Sequence, residues 1–476
     1  MPIADVERQD RSSAAPQSRA INPQYGAPAI NHIDDAGTDL VTAQVARDVG
    51  ARIAAQIARR VHARDEFVVF QARNSGLLLS GIFGALLSGF APAIISDALT
   101  EGETSELLAN VPHSMVISDE VLDEMGAVHR IEALELLDFF SCRPMHFTSG
   151  TSGRPKGVWS GRLSREDALA LAAEEREVWG FDDTDVHLVC GPLSHSAPLR
   201  FALHTIFNGG AVVVPTRFDA SVASSLIGRS VVTTTFMAPI HLKRILDVTP
   251  SSRCSIRLLA CAGAPCPDAV RRGALKRFGT NALVEFYGST EGSFTICSSE
   301  EWREHPGTVG KARPGRQLRV DHDGHVWCRA PAHATFEYWG DPAKTAAAWN
   351  GDWFTVGDLG RIDAEGYLYL EGRRSDLIIT GGVNVYPAEI ERVLSDLDGV
   401  TALAAFGQED PEWGQRVCVA YEGGASVEAL REYAIAHLAP AKRPKQIMKL
   451  RALPTTFSGK VDRGALLHID YSDEEP

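Results

Sequence analysis

The run Phe147-Thr148-Ser149-Gly150-Thr151-Ser152-Gly153-Arg154-Pro155-Lys156-Gly157 gathers residue types that hold phosphate. Its glycines let the backbone approach an anion closely. Ser149, Thr151 and Ser152, next to Thr148, offer hydroxyl donors, and Arg154 and Lys156 add positive charge. The polyphosphate of ATP suits such a loop. The spacing excludes a nucleoside-triphosphatase loop, which requires Gly-x-x-x-x-Gly-Lys-Ser/Thr, because neither Gly150 nor Gly153 stands at that distance from a Gly-Lys pair.

Further groups follow downstream. Ala262-Gly263-Ala264-Pro265 is a small, flat backbone segment on which a planar base could lie. Tyr287-Gly288-Ser289-Thr290-Glu291-Gly292 offers an aromatic plate, a hydroxyl and a carboxylate, suited to adenine, a phosphate oxygen and Mg²⁺. Thr355-Val356-Gly357-Asp358 puts one carboxylate in a glycine-flanked turn, where it could bond both hydroxyls of a ribose. A charged stretch through Arg373, Arg374, Ser375 and Asp376 leads to Gly381-Gly382 and then a helix, which reads as a domain junction. Near the C-terminus, Ser458-Gly459-Lys460 places one lysine on a short glycine turn.

These loops need a scaffold, and hydrophobic periodicity supplies one. Val45, Val49, Ile53 and Ile57 recur as one helix face; Phe67–Phe70 reads as a buried strand, Leu77–Leu87 as a helix and Pro92–Ile95 as another strand. The alternation returns with strand Val231–Met237, helix His241–Leu246, strand Ile256–Cys261, helix Pro267–Phe278 and strand Leu283–Phe286. Alternation of this kind predicts an α/β fold with parallel sheets, whose ligands sit in loops leaving the carboxyl ends of strands. Val427, Leu430, Ala434 and Leu438 form the buried stripe of a further helix.

Composition bounds the rest. A chain of 476 residues with 44% hydrophobic content is long enough for two or three domains. A net charge of −14 argues against a nucleic-acid binder. The eight cysteines form no Cys-x-x-Cys pair and read as reduced core residues of a cytoplasmic protein. Residues 1–31 read as a flexible arm, neither signal peptide nor membrane anchor. The apolar stretch Leu77–Phe90 is cut by Ser80, Gly81, Gly84, Ser88 and Gly89 and closed by Pro92, so a buried helix is expected there rather than a membrane span.

The motifs at Ser149–Gly157, Tyr287–Glu291, Gly357-Asp358, Arg373 and Ser458-Gly459-Lys460 fall in the order seen in the adenylate-forming superfamily. Over nearly everything after the arm the chain resembles its acyl-CoA synthetases and aryl-CoA ligases. The resemblance implies a large N-terminal domain, residues 32–374, of stacked α/β sheets with a distorted β-barrel. A small mobile α+β domain, residues 375–476, would hinge at Ser375. It implies activation of a carboxylic acid by Mg-ATP to an acyl-adenylate, then transfer to CoA.

In the same terms Thr290 would contact the α-phosphate, Glu291 Mg²⁺, Asp358 the ribose, and Tyr287 with Gly263–Pro265 the adenine. Thr148 to Gly153, Lys156 and Gly288 would complete the nucleotide site. Arg373 would assist there, and Lys460 would bridge acyl and phosphate oxygens. Gly381 and Gly382 would reach the site for the thiol step, with Lys442, Arg443 and Lys445 for CoA phosphates. The segment Gly191–Pro198 is similar to the family stretch whose histidine lies beside the carboxylate, here His195. With Phe236, Met237, Gly288 and Phe294 the acyl pocket is expected to be apolar and to suit an aryl, alicyclic or fatty acid. The expected partners are the acid, ATP and CoA, with a homodimer left open.

Ala262 and Val356 stand where glycine and threonine are common, Ser375 where Asp or Lys is common, and Trp159 and Gly161 make the segment after the phosphate loop unusual. A complete ligase is therefore the first reading. A chain keeping only one half-reaction, for example thioesterification of a supplied adenylate, and a non-catalytic ligand binder are the alternatives.

Overall fold

The structure is a computed structural model that describes residues 31–32, 37–61, 66–128, 132–148, 156–229, 231–248, 256–373, 376–380, 383–411, 413–456 and 460–469. Its largest sheet runs through Asn31–His32, Thr38–Thr42, Ala211–Pro215, Val186–Val189, Thr234–Met237, Leu258–Cys261, Leu283–Glu285, Thr295–Ser298 and Lys311–Ala312. From Ala211–Pro215 to Leu283–Glu285 the neighbours are parallel, as the alternating pattern requires. A second sheet contains Glu337–Tyr338, Lys156–Trp159, Met145–Thr148, Ala91–Ile94, Phe67–Phe70 and His113–Ile117.

The periodic segments form close to the expected places. Val45, Val49, Ile53 and Ile57 are buried on the helix Ala43–Arg60. Strand Phe67–Phe70 has the expected bounds, and the others begin or end a few residues from them. The stretch from Leu77 becomes the buried helix Gly76–Leu87, and among the described residues no helix is long and apolar enough to cross a membrane. It crosses Ala43–Arg60 at two glycines. A Cβ on Gly84 would lie 2.2 Å from the Gly50 carbonyl oxygen, so only glycine permits this approach.

The distorted barrel is corrected. Gln317–Val320, Val326–Arg329, Trp353–Phe354 and Trp349–Asn350 form a four-stranded antiparallel sheet, and Asp358–Ile362 with Leu368–Arg373 a two-stranded ribbon. Among the described residues these do not close, because closure needs a continuous staggered ladder and two of these strands are only two residues long. The bridge His325 to Leu359, with Gly360 N–H donating to the Gly324 carbonyl at 2.9 Å, links ribbon to sheet.

Beyond residue 376 the chain builds a smaller domain with its own sheet of Val383–Val385, Ile378–Thr380, Gly414–Gly423, Val400–Asp410 and Gln446–Lys449. Helices Pro387–Leu394 and Val427–His437 pack on it, the second through Leu430 and Ala434. All seven described cysteines are free and buried, while Cys254 lies outside the described residues. Of the expected arm only Asn31 is described, paired with Leu40 at the edge of the large sheet.

Candidate active site

A cavity of about 3410 Å³ opens where loops leave the carboxyl ends of the parallel strands and meet the small domain. His195, Gly263, Tyr287, Thr290, Asp358 and Lys460, far apart in sequence, all line it.

At its nucleotide end, Gly263 leaves strand Leu258–Cys261 with φ +97°, a left-handed backbone that favours glycine. Gly263, Ala264 and Pro265 are exposed to the cavity. Tyr287 is buried, its ring packed on Phe294 at 4.6 Å between centroids, and its hydroxyl donates to Asp358 Oδ2 at 2.5 Å. The chain then folds back at once: Ser289 N–H donates to the Gly292 carbonyl at 2.8 Å, and a Cβ on Gly288 would stand 2.9 Å from that oxygen. Thus Gly288 permits the turn that turns Thr290 to the cavity. Ser289 Oγ is buried with no hydrogen-bond partner, a donor set beside Thr290 that a phosphate oxygen would satisfy. Glu291 is buried behind the turn, and Tyr338 donates its hydroxyl to Glu291 Oε1 at 2.8 Å.

The phosphate loop is strung between paired positions, Thr148 opposite Lys156 on adjacent antiparallel strands. Both residues line the cavity. Lys156 Nζ pairs with Asp341 at 3.2 Å. Ser149, Gly150, Thr151, Ser152 and Gly153 lie outside the described residues, as do Ser375, Gly381 and Gly382. Arg373 stands opposite Asp358 in the ribbon register.

At the acid end, His195 immediately precedes helix Ser196–Phe207. Asn74 holds the turn before it from both sides, accepting from Leu193 N–H at 2.8 Å and donating to the Gly191 carbonyl at 3.1 Å. His146 Nδ1 lies 2.9 Å from the Ser194 carbonyl. Burial, and then the Lys460 ammonium, push the His195 imidazole below its usual pKa. Lys460 and His195 both line the cavity. The Lys460 turn is held by its carbonyl, which accepts from Thr456 N–H at 2.7 Å.

Three expectations for the acyl pocket change. Phe236 lines the cavity, but Met237, its neighbour on a strand, faces the opposite side and is fully buried in the core. Phe294 is likewise fully buried, supporting Tyr287 from behind. The deep wall is not wholly apolar: Arg143, Glu175, Arg200, His204 and Arg316 line it. Sequence reasoning missed Asn74, His146 and these charges. The available signal was Arg200, a charge between Leu199 and Phe201 on a largely apolar helix.

The basic cluster is divided among three tasks. Lys442 pairs with Glu389 at the cavity wall. The Arg443 guanidinium donates to the carbonyls of Leu438 and Ile435, closing the end of helix Val427–His437. Lys445 lies over the Trp413 ring at 3.6 Å. Among the unusual residues, Trp159 packs edge-on against Phe67 in the core, so its bulk lies outside the cavity. Val356 packs against a core cluster, whereas Ala262 does line the cavity.

The family model of AMP-binding enzymes matches residues 141–331, and the model of their C-terminal domain matches 389–460. A 2-succinylbenzoate–CoA ligase of Listeria monocytogenes is 30% identical over 85% of this chain and 89% of its own length. The long-chain-fatty-acid–CoA ligase FadD13 of Mycobacterium tuberculosis is 32% identical over 69% of this chain and 68% of its own. The structure of o-succinylbenzoate CoA synthetase from Bacillus subtilis with its acyl-adenylate intermediate superposes with a TM-score of 0.79 at 25% identity, covering 90% of this chain and 93% of that one.

Proposed function

The chain belongs to the AMP-binding enzyme family and is an acyl/aryl-CoA ligase of the adenylate-forming superfamily; from that premise we propose that it activates an apolar-bodied aryl, alicyclic or fatty acid in the cavity between its two domains. ATP, Mg²⁺ and CoA are the small molecules it uses. The observation that carries the residue roles is the meeting of Lys460, His195, Thr290 and the Tyr287–Asp358 pair around one cavity.

The acid's carboxylate oxygen attacks the α-phosphorus of ATP, the bond to the bridging oxygen breaks and pyrophosphate leaves. Such chemistry asks the protein for positioning and charge stabilisation. Asp358, oriented by the Tyr287 hydroxyl, accepts from the ribose hydroxyls, and the adenine lies along Gly263–Pro265. Thr290 donates to the α-phosphate, and the loop Ser149–Gly153 with Lys156 takes the outgoing phosphates. The Lys460 ammonium bridges acid and α-phosphate oxygens as negative charge builds. His195, kept neutral at pH 7 by burial and by Lys460, directs the carboxylate without adding a competing charge. Glu291 keeps Oε2 free of any hydrogen bond among the described residues, so it fits Mg²⁺, which favours one or two carboxylates plus substrate phosphates. Bound there, Mg²⁺ would neutralise phosphate charge.

In the second step a thiolate attacks the acyl carbon and AMP departs. We assign that step to a rotation of residues 375–476 about Ser375 against 32–374, which withdraws Lys460 and brings Gly381-Gly382 to the site. Lys442 at the cavity wall is the basic residue placed to meet CoA. The buried thiols and the need for ATP and CoA favour a cytoplasmic enzyme.

The test is mass spectrometry of products after mixing protein and Mg-ATP with aryl, alicyclic and fatty acids, with and without CoA. Acyl-AMP without CoA and acyl-CoA with it is the expected result. Thioester from synthetic adenylates only would leave the thiol step alone and overturn the first half of the assignment.

A further inference from the structure

A lysine of the large domain reaches across to the small one. Helix Pro239–Val248 follows the parallel strand Thr234–Met237, and Leu242 and Ile245 anchor it in the core of the large domain. Between those anchors Lys243 lines the cavity, and its ammonium donates to two consecutive carbonyls of the small domain, Val400 at 3.1 Å and Thr401 at 3.2 Å.

The two carbonyls belong to a corner that glycine shapes. Val400 lies opposite Gly423 and Ala402 opposite Glu422, which leaves Thr401 as the extra residue of a β-bulge on strand Val400–Asp410. Gly399, just before the bulge, has φ +89°, and Gly423 has φ +127°. A Cβ on Gly423 would collide with the Gly399 carbonyl, the oxygen that accepts from Gly424 N–H at 2.8 Å. Both positions therefore need glycine, and the corner holds one shape. The same corner is continuous with the turn that carries Lys460. Ala402, next to the bulge, packs in one cluster with Leu453 and Val461, and Val461 bridges to Thr455 on the far side of the Lys460 turn. A hold on Val400 and Thr401 is thus a hold on Lys460.

Elsewhere the seam is close to balanced. Burial, and then Asp268 of the large domain, push the Asp396 carboxyl of the small domain above its usual pKa, opposed by Arg272 and Arg392. One charged hydrogen-bonded contact is enough to tip such a seam.

Resting on the domain rotation assigned above, we propose that Lys243 is a positioning residue, a latch that holds the small domain in the orientation presenting Lys460 for adenylation and lets go of the Val400 and Thr401 carbonyls when the domain turns for the thiol step. Lys243 acts through the bulge and Lys460. Neutral carbonyls suit a contact that must break in every cycle, because water replaces them on opening, whereas parting a buried ion pair would strand a charge.

The experiment measures the half-reactions separately, as pyrophosphate release from Mg-ATP with the acid panel and as thioester formation from synthetic acyl-adenylate and CoA. It compares Lys243→Met, which keeps the apolar stem and loses the donor, with Lys243→Arg, which keeps a donor. Spin labels on Glu166→Cys and Glu432→Cys, exposed positions in the large and small domains, read the interdomain distances in a Cys254→Ser background, the other native cysteines being buried. Lys243→Met is expected to slow adenylation about 10-fold, the scale of losing a charged hydrogen-bonded contact, to leave thioester formation equal or faster, and to broaden the distance distribution. Lys243→Arg should restore most of both. Equal loss in both half-reactions, no loss in either, or an unchanged distance distribution would overturn the latch while leaving acid activation intact. If the unaltered chain released no pyrophosphate with any acid, the activating reading would fall. The label distances would then decide the latch alone: a distribution broadened by Lys243→Met sustains it, and an unchanged one removes it.

Discussion

The two ends of the cavity are built differently. At the nucleotide end the functional groups come in short contiguous runs, Gly263–Pro265 and Tyr287–Glu291, with Asp358 as the single distant partner that the Tyr287 hydroxyl reaches. At the acid end the deciding residues are scattered: Asn74, His146 and Arg316 arrive from separate stretches of chain, and His195 and Arg200 from the start of one helix. A nucleotide presents the same phosphates, ribose and base to any enzyme, so a turn can hold the matching groups. The acid site must match one molecule's length and charge, which takes walls from several elements.

Changes at the shared centre should break both ends and lead the ranking. Lys460→Ala is expected to lower adenylation about 1,000-fold, the scale of losing one preorganised charge-stabilising donor. Thioester formation from preformed adenylate should be spared, as isotope exchange into ATP and a separate thioester assay would show. Equal loss in both assays would remove the bridging role.

Next comes Glu175→Gln, which strikes the acid end through stability. Burial alone would raise this carboxyl's pKa, but Arg313 and Arg200 outweigh it and hold it below the usual range. Removing that charge strands buried arginines at a cost of about 3 kcal/mol, visible as a lowered Tm. An unchanged Tm would mean that solvent reaches the cluster.

Acid titration should sharpen the contrast more gently. Burial lowers His146 and His204 to about 4 and His187 to about 3, from an ordinary value of 6.5. The unfolded chain binds their protons first as the pH falls, so the stability is whole above about 6.5 and drains away toward pH 4. A Tm flat across that window would contradict it.

Asn74→Ala should act at the acid end only. Loss of its two hydrogen bonds to the turn before His195 is expected to raise KM for the acid about 30-fold, at roughly 1 kcal/mol for each bond, with KM for ATP unchanged. A parallel rise in both constants would show that the turn serves the whole cavity. The smallest effect is reserved for Arg443→Ala: about 1 kcal/mol of stability from the helix end it closes, and KM for CoA within about 2-fold. A large rise in that KM would return Arg443 to the thiol site.

Much of this architecture was legible from one sequence. Four-residue spacing and short apolar runs report burial directly, so Val45 to Ile57 and Phe67–Phe70 could be read almost to their ends. Met237 and Phe294 were misread because apolarity tells that a residue is buried but not which face it takes. The barrel was expected from likeness alone, and strands of two residues carry too little pattern to test it. Lys442, Arg443 and Lys445 look alike on paper and are told apart only by Glu389, two helix-end carbonyls and the Trp413 ring.

By itself, then, the sequence determined the family, the α/β order and the nucleotide-facing loops, because those depend on local backbone freedom and on residue types within a few positions of each other. Tertiary structure decided which carboxylates neutralise which arginines, setting Arg200 between Glu175 and Ser293 and Arg143 on the Thr335 carbonyl, partners 25, 93 and 192 positions away. Charge balance in a buried wall is a sum over neighbours in space, and no spacing along the chain encodes it.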